Sequence, residues 1–240
     1  MNLPGVVFLA GRTVRAQAYA QAMARAGMKP EWAFVYGAES SVTVPPSLPQ
    51  AGPPTGLPLP DLSVPLEETA ANAGWRIHET VAGNVNDPAI LDFLKRVRPA
   101  LVIYAGYGGQ IVGDEALSVA PFMHVHSGNL PEERGSTTVY YGILKGTGVW
   151  ASAILLERKI DTGPVLLKAE YPLPPAGLDI DRLYDPAIRA DLLLKALREY
   201  AARGHLPEGV RQEPDCGEDY YVIHPVLKHI AALSINKPQL

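Results

Sequence analysis

Residues 100–135 read ALVIYAGYGGQIVGDEALSVAPFMHVHSGNLPEERG, and this stretch decides the fold. It holds two short apolar runs, ALVIYA (100–105) and FMHVH (122–126), each closed by turn residues. Runs of that length, mostly apolar and bounded by turn residues, are what strands buried on both faces require, as in a parallel sheet with helices above and below. The glycines at 106, 108 and 109 permit tight turns and let the backbone come close to a ligand. His124 and His126 stand two apart on the second strand, so both side chains leave the same face. They do so at the strand end where open α/β sheets bind ligands.

Outward from this centre the same alternation continues. GVVFLA (5–10) leads into a helix starting near Thr13, with Val14, Ala18, Ala22 and Ala26 along one face and Gly27 and Pro30 ending it. AFVY (33–36) is a second strand, and a helix is predicted around 65–73. Between them TVPPSLPQAGPPTGLPLP (43–60) carries too many prolines and glycines for helix or ladder and is expected to be a loop. Asp87 and Pro88 make an N-cap and first-turn pair for a helix that buries Ile90, Leu91, Leu94 and Val97 and stops at Pro99. GSTTVYYGILKG (135–146) is expected to be helical. GVWASAILL (148–156), with its period of 2, and PVLLKAEY (164–171) are expected as strands joined through ERKIDTG. Asp185 and Pro186 open a further amphipathic helix that Gly204 ends, and a last helix is predicted near 225–234.

Composition narrows the function classes. With 47% hydrophobic and 19% charged residues, 240 residues can bury a sizeable core. A formal net charge of −4 offers no general attraction for nucleic acid or anionic lipid, so neither is an expected partner. No apolar run approaches the roughly 20 residues that span a bilayer. The first apolar run lacks the basic segment of a secretory signal. The lone Cys216 can form neither an intrachain disulfide nor a thiolate cluster. A cytoplasmic protein is the expectation.

The chemistry-bearing residues converge on two turns. SGNLPEERG, leaving the 122–126 strand, supplies Asn129 and Arg134, and the ERKIDTG turn supplies Asp161. A histidine with a carboxylate beside it is a natural proton-transfer pair, because the carboxylate fixes the tautomer and favours the imidazolium. The same residues admit two other readings: His124, His126 and Asp161 as three zinc ligands with a fourth position open, or two buried histidines that only hydrogen-bond. Arg12, following Gly11 at the start of the first helix, is placed to hold an anion such as an acceptor phosphate.

Four elements in order, His124-Val125-His126, Pro131, Arg134-Gly135 and Asp161-Thr162-Gly163-Pro164, resemble the signature of the 10-formyltetrahydrofolate-dependent formyltransferases. That family includes glycinamide ribonucleotide, methionyl-tRNA and sugar N-formyltransferases, and its signature runs Asn-x-His-x-x-x-x-Pro-x-x-Arg-Gly followed by an Asp in a DTG-like turn. YAGYGGQIVGDEAL (104–117) is similar to the loop that lines the family's pterin pocket. The resemblance implies an α/β, Rossmann-like formyltransferase fold: a mostly parallel sheet with helices on both faces and a C-terminal strand-hairpin and helix extension. It implies a catalytic domain over 1–175 and a helical extension over 176–240.

By position it implies that His126 moves protons and that Asp161 orients His126 or organises a bound water. The backbone of Tyr104, Ala105, Gly106, Tyr107, Gly108 and Gly109 would meet the pterin, with Ile111 beside it. Arg134, Asn129, Gly11 and Arg12 would contact the acceptor. The implied co-substrate is 10-formyltetrahydrofolate, with no metal, and the acceptor is a small-molecule amine, preferably a nucleotide-linked amino sugar; a homodimer is compatible. The remaining readings are a formyltetrahydrofolate hydrolase, the metal-dependent hydrolase above and an inactive folate binder. The sequence departs from the family at His124, where Asn is usual, and at Gly128, where Ser is frequent. A histidine in place of the amide makes any contact to an oxyanion depend on pH.

Overall fold

The run GVVFLA forms part of a strand, β1 (Asn2–Gly11), and Thr13 caps the helix that follows, its side chain accepting from Ala16 N–H. This is seen in a computed structural model that describes residues 1–38, 56–213 and 216–235. Most of the Pro-rich stretch, 43–55, lies outside the described residues, and 56–60 form neither helix nor strand.

The chain divides into two compact units. The first takes the described residues 1–38, 60–124 and 155–158. After β1 it continues with α1 (Val14–Arg25), β2 (Lys29–Tyr36), α2 (Leu66–Asn72), β3 (Ile77–Thr80), α3 (Pro88–Val97), β4 (Leu101–Ala105), α4 (Asp114–Val119) and the start of β5 (Phe122–His126). These strands run in the order β3-β2-β1-β4-β5, all parallel. Asp87 accepts from Ala89 N–H and Pro88 takes the first turn of α3, as its sequence predicts. The apolar stripe of α3, Ile90, Leu91, Phe93 and Leu94, packs on Val7, Leu9, Phe34, Val102 and Phe122 of the sheet. The opposite face is covered from the α1 and α2 side, where Phe8 meets Trp75 edge to face. Short buried strands with helices on both faces give the expected α/β class.

The second unit takes the described residues 56–59, 125–154, 159–213 and 216–235. It contains β6 (Glu133–Gly135), α5 (Thr138–Lys145), most of β7 (Val149–Leu155), β8 (Val165–Tyr171), a π-helical turn (Ile180–Tyr184), α6 (Asp185–Arg203), β9 (Glu218–Tyr220) and α7 (Pro225–Ser234). β7 and β8 pair antiparallel, the expected hairpin. α6 buries Ile188, Leu192, Leu193, Ala196 and Leu197, all on the face its period predicts. Of residues 176–240, expected as an extension, the described ones belong to the same unit as the SGNLPEERG turn. β6 and β9 were not expected: three residues each, they pair in parallel, with Glu133 opposite Glu218 and Gly135 opposite Tyr220. No helix among the described residues is long and apolar enough to cross a membrane.

Candidate active site

His126 is the last residue of β5 and lies 2% exposed in the second unit. Its Nε2 donates to the carbonyl oxygen of Glu133 at 2.6 Å, and its Nδ1 lies 3.3 Å from Oδ2 of Asp161. The expected pair is therefore assembled. Asp161, 7% exposed, sits in the turn after β7 with a left-handed backbone (φ 53°), and its Oδ2 also accepts the Gly135 N–H at 2.9 Å. Left-handed backbone is tolerable for Asp and much less so for the β-branched Thr137 (φ 54°), which precedes α5. Of the three non-glycine residues at positive φ among the described residues, one is Asp161 itself and another, Thr137, precedes Thr138 beside the ring, where strain commonly marks a site under several constraints.

Electrostatics set the resting state. Burial pushes the His126 imidazole below its ordinary value; Asp161 pulls it back up, and the guanidinium of Arg189 pushes it further down. With Nε2–H committed to a carbonyl, the ring's unshared electron pair is at Nδ1, facing Asp161. The pair can take up one proton there, and burial and Arg189 disfavour the charged ring.

The surrounding turn is fixed from several sides. Glu133, absent from the sequence-based candidates, supplies its carbonyl to His126 while its buried carboxylate accepts from Asn129 N–H at 3.2 Å and Thr147 Oγ1 at 2.9 Å. A backbone carbonyl can come from any residue type, so no sequence signal announces this role. Ser152 of β7 donates to the Gly128 carbonyl and accepts from Leu130 N–H. Thr138 Oγ1, 3.5 Å from Nε2, donates to the Ser127 carbonyl.

Gly128 shows why serine is absent there. A Cβ at this position would stand 2.5 Å from His126 Nε2 and 2.7 Å from the Glu133 oxygen. Gly128→Ser is expected to push the ring off Glu133 and lower turnover by up to about 10²-fold, the cost of misplacing a reacting group by about 1 Å. Full turnover in the serine variant would show that the ring has room to give.

The other candidates have separate surroundings. His124 belongs to the first unit, and its Nδ1 donates a long hydrogen bond, 3.4 Å, to the Tyr104 carbonyl. Among the described residues no three of His, Cys, Asp and Glu gather as a metal group, so His124, His126 and Asp161 do not form the three-ligand set considered above. Arg12 was expected to hold an acceptor phosphate. Its guanidinium instead meets Glu67 at 2.7 Å, Glu79 at 2.6 Å and the Gly37 carbonyl, while the ring of Tyr107 lies against Gly11. Its charge is neutralised by carboxylates, and the anion-holding role gives way to a structural one. Arg134 joins Asp219 at 2.8 Å and the Cys216 carbonyl, and the Asn129 side chain accepts from Lys168 at 2.9 Å. In the 104–111 turn Tyr104, Ala105 and Gly106 are buried, whereas Gly108, Gly109 and Ile111 are exposed. Beside His126 in the chain, Ser127, Thr137, Tyr140, Asp181, Asp185 and Arg189 line a cavity of about 100 Å³. That holds a few waters; ligand pockets for whole small molecules run to about 300–1,000 Å³.

No family model matches the chain. Over 120 residues, 48% of this chain, it is 34% identical to a methionyl-tRNA formyltransferase of Syntrophus aciditrophicus, covering 38% of that protein. Such curated relatives are longer, and the matches cover 30% to 50% of their length. Among solved structures, a sugar N-formyltransferase from a Shewanella species superposes with TM-score 0.57 at 14% identity, over 96% of this chain and 87% of that one. HypX from Aquifex aeolicus in complex with tetrahydrofolic acid gives 0.57 at 13% identity, over 98% of this chain and 34% of that one. At such identities these structures speak to the fold alone.

Proposed function

We propose that the chain is a member of the formyltransferase family and transfers a formyl group from 10-formyltetrahydrofolate to a primary amine on a small molecule, a nucleotide-linked amino sugar. The observation that carries the reading is the buried His126–Asp161 pair, 3.3 Å apart, with the ring held by Glu133. A sugar acceptor is favoured over transfer RNA by the net charge of −4, which offers a polyanion no general attraction.

The donor supplies the formyl carbon, and its nitrogen leaves with a proton. The acceptor amine must lose a proton as it attacks, and the His126–Asp161 pair has the capacity for one, between Nδ1 and Oδ2. Asp161 stabilises the imidazolium that results, and Gly135 N–H keeps its carboxylate in place. His124 would donate to the formyl oxygen as charge develops there. With one N–H directed at the Tyr104 carbonyl, a neutral His124 has no second donor, so this role requires its protonated form. The 104–109 turn fits the pterin in chemistry: nothing lies within 4 Å of where a side chain would begin on Gly108 or Gly109, leaving their backbone approachable. Arg134 and Asn129 act in this reading by shaping the SGNLPEERG turn, through Asp219 and Lys168.

Consumption of 10-formyltetrahydrofolate is the test, measured with nucleotide-linked amino sugars, glycinamide ribonucleotide, methionyl-tRNA and no amine. Consumption that depends on the amino sugar supports the proposal. Formate release without amine identifies a hydrolase, saturable folate binding without turnover an inactive binder, and preference for methionyl-tRNA the acceptor of the curated relatives. His124→Asn is expected to keep turnover and remove its decline at high pH, because an amide donates at any pH, whereas His124→Ala loses about 10²–10³ in rate. Equal pH profiles in the parent and the Asn variant would take His124 out of the oxyanion contact.

A further inference from the structure

We propose that Arg189 is the positioning residue of His126, a fork on α6 that grips the chain on both sides of the imidazole. The guanidinium donates through Nη1 to the Val125 carbonyl at 2.6 Å and through Nη2 to Ser127 Oγ at 2.6 Å, and its Nε donates to Asp185 at 2.9 Å. Val125 and Ser127 are the chain neighbours of His126. Both are buried, and the arginine side chain itself is 12% exposed.

A π-helical turn immediately precedes α6, and the contact itself lies within α6. Tyr184 N–H reaches back to the Asp179 carbonyl, and Asp185 and Arg189 then fall one helical turn apart. Such turns widen a helix by one residue and recur at functional sites. A buried ion pair is a poor device for stability alone, since a packed apolar pair of similar volume commonly serves as well. What only arginine supplies is a rigid planar fork, two parallel donors at fixed separation with a third behind them. Lysine, a single point donor, can keep the charge and hold one of the two acceptors.

The charged groups facing His126 are Asp161 from the turn after β7 and Asp185 and Arg189 from α6; β6 offers the Glu133 carbonyl and α5 the uncharged Thr138. Arg189 opposes protonation of the ring, and Asp161 and Asp185 favour it. The clamp therefore holds the imidazole in place and in its proton-accepting form. The catalytic meaning rests on the formyl-transfer reading; the effect on the ring does not.

The experiment is an NMR titration of the His126 ring in the parent, Arg189→Gln, Arg189→Lys and Asp185→Asn, the resonance assigned by its loss in His126→Asn. The His126 pKa should rise in Arg189→Gln, fall in Asp185→Asn and stay near the parent's in Arg189→Lys. In the amine-dependent assay, Arg189→Lys should lose roughly tenfold or more in kcat with KM little changed, because the ring keeps its charge environment and loses its placement. An unchanged His126 midpoint in folded Arg189→Gln or Asp185→Asn, or parental kcat in Arg189→Lys, would overturn the proposal. If Arg189→Gln does not fold, the other two variants decide it. A parent without formyl transfer would defeat the functional reading while the titration still judged the clamp.

Discussion

Replacing His126 with alanine is expected to lower amine-dependent formyl transfer by roughly 10²–10⁴-fold, the usual contribution of a positioned proton carrier. The loss should sit in kcat, since the buried ring leaves little surface for substrate binding. Asp161→Asn separates charge from placement. The amide keeps an oxygen for Gly135 N–H and loses the negative charge 3.3 Å from Nδ1. The sign of the pH effect follows. Burial already lowers the His126 pKa, so the parent's rate should fall with decreasing pH below the ordinary imidazole value of about 6.5. Without Asp161 the imidazolium loses its main support, and the acidic limb should move to still lower pH while the plateau drops. The same depression predicts that stability from this histidine is complete above pH ~6.5 and is lost as pH falls through the folded-state pKa. Rate profiles and melting temperatures of parent, His126→Ala and Asp161→Asn check all three signs. A His126→Ala protein that keeps more than about a tenth of the parental rate would remove the ring from the proton path.

The largest stability loss is expected from Gly135→Ala. Gly135 has φ 98°, where L side chains are strained, and a Cβ there would fall inside the van der Waals shell of the Tyr220 carbonyl oxygen. Strain of 1–3 kcal/mol and weakened pairing between β6 and β9 together imply a loss of roughly 3 kcal/mol. That corresponds to a fall in Tm of roughly 6–12 °C for a chain of this size. Activity should fall as well, because the N–H that holds Asp161 belongs to this residue. A melting temperature within about 2 °C of the parent would show that β9 moves aside without cost.

Local chemistry made much of this structure readable from sequence. Asp87-Pro88 and Thr13 announce helix starts by capping, and the period-2 run of 149–155 announces an antiparallel strand. The spacing from His126 to Pro131 and Arg134-Gly135 marks the turn, and the DTG marks its carboxylate. What stayed hidden lacks a local signal. β6 and β9 are three residues each, too short for periodicity, and pair across most of the second unit. The exposed edge strand β3 has no apolar alternation. The π-helical turn before Asp185 leaves no compositional trace. Arg12 carried the right signal for an anion site, and only tertiary structure shows its charge answered by Glu67 and Glu79. Arg189 could have been noticed, as a cation four residues beyond Asp185 beside the buried face of α6.

The pairing of β6 with β9 makes the order of the site an association within one molecule. The ring of His126 is set by the Glu133 carbonyl, Glu133 lies in β6, and β6 is held by residues 218–220 and by the Arg134–Asp219 bridge. Cutting the backbone in 205–209 would leave the contact between His126 and Asp161 itself unbroken, while Gln212, which donates to the Asp161 carbonyl at 2.7 Å, would go with the released piece. It would turn the 216–235 segment, with α7 packed on α5, from a tethered strand at high effective concentration into a free peptide. The nicked protein would then be only as organised as its two pieces are bound, and dilution alone would become an inhibitor.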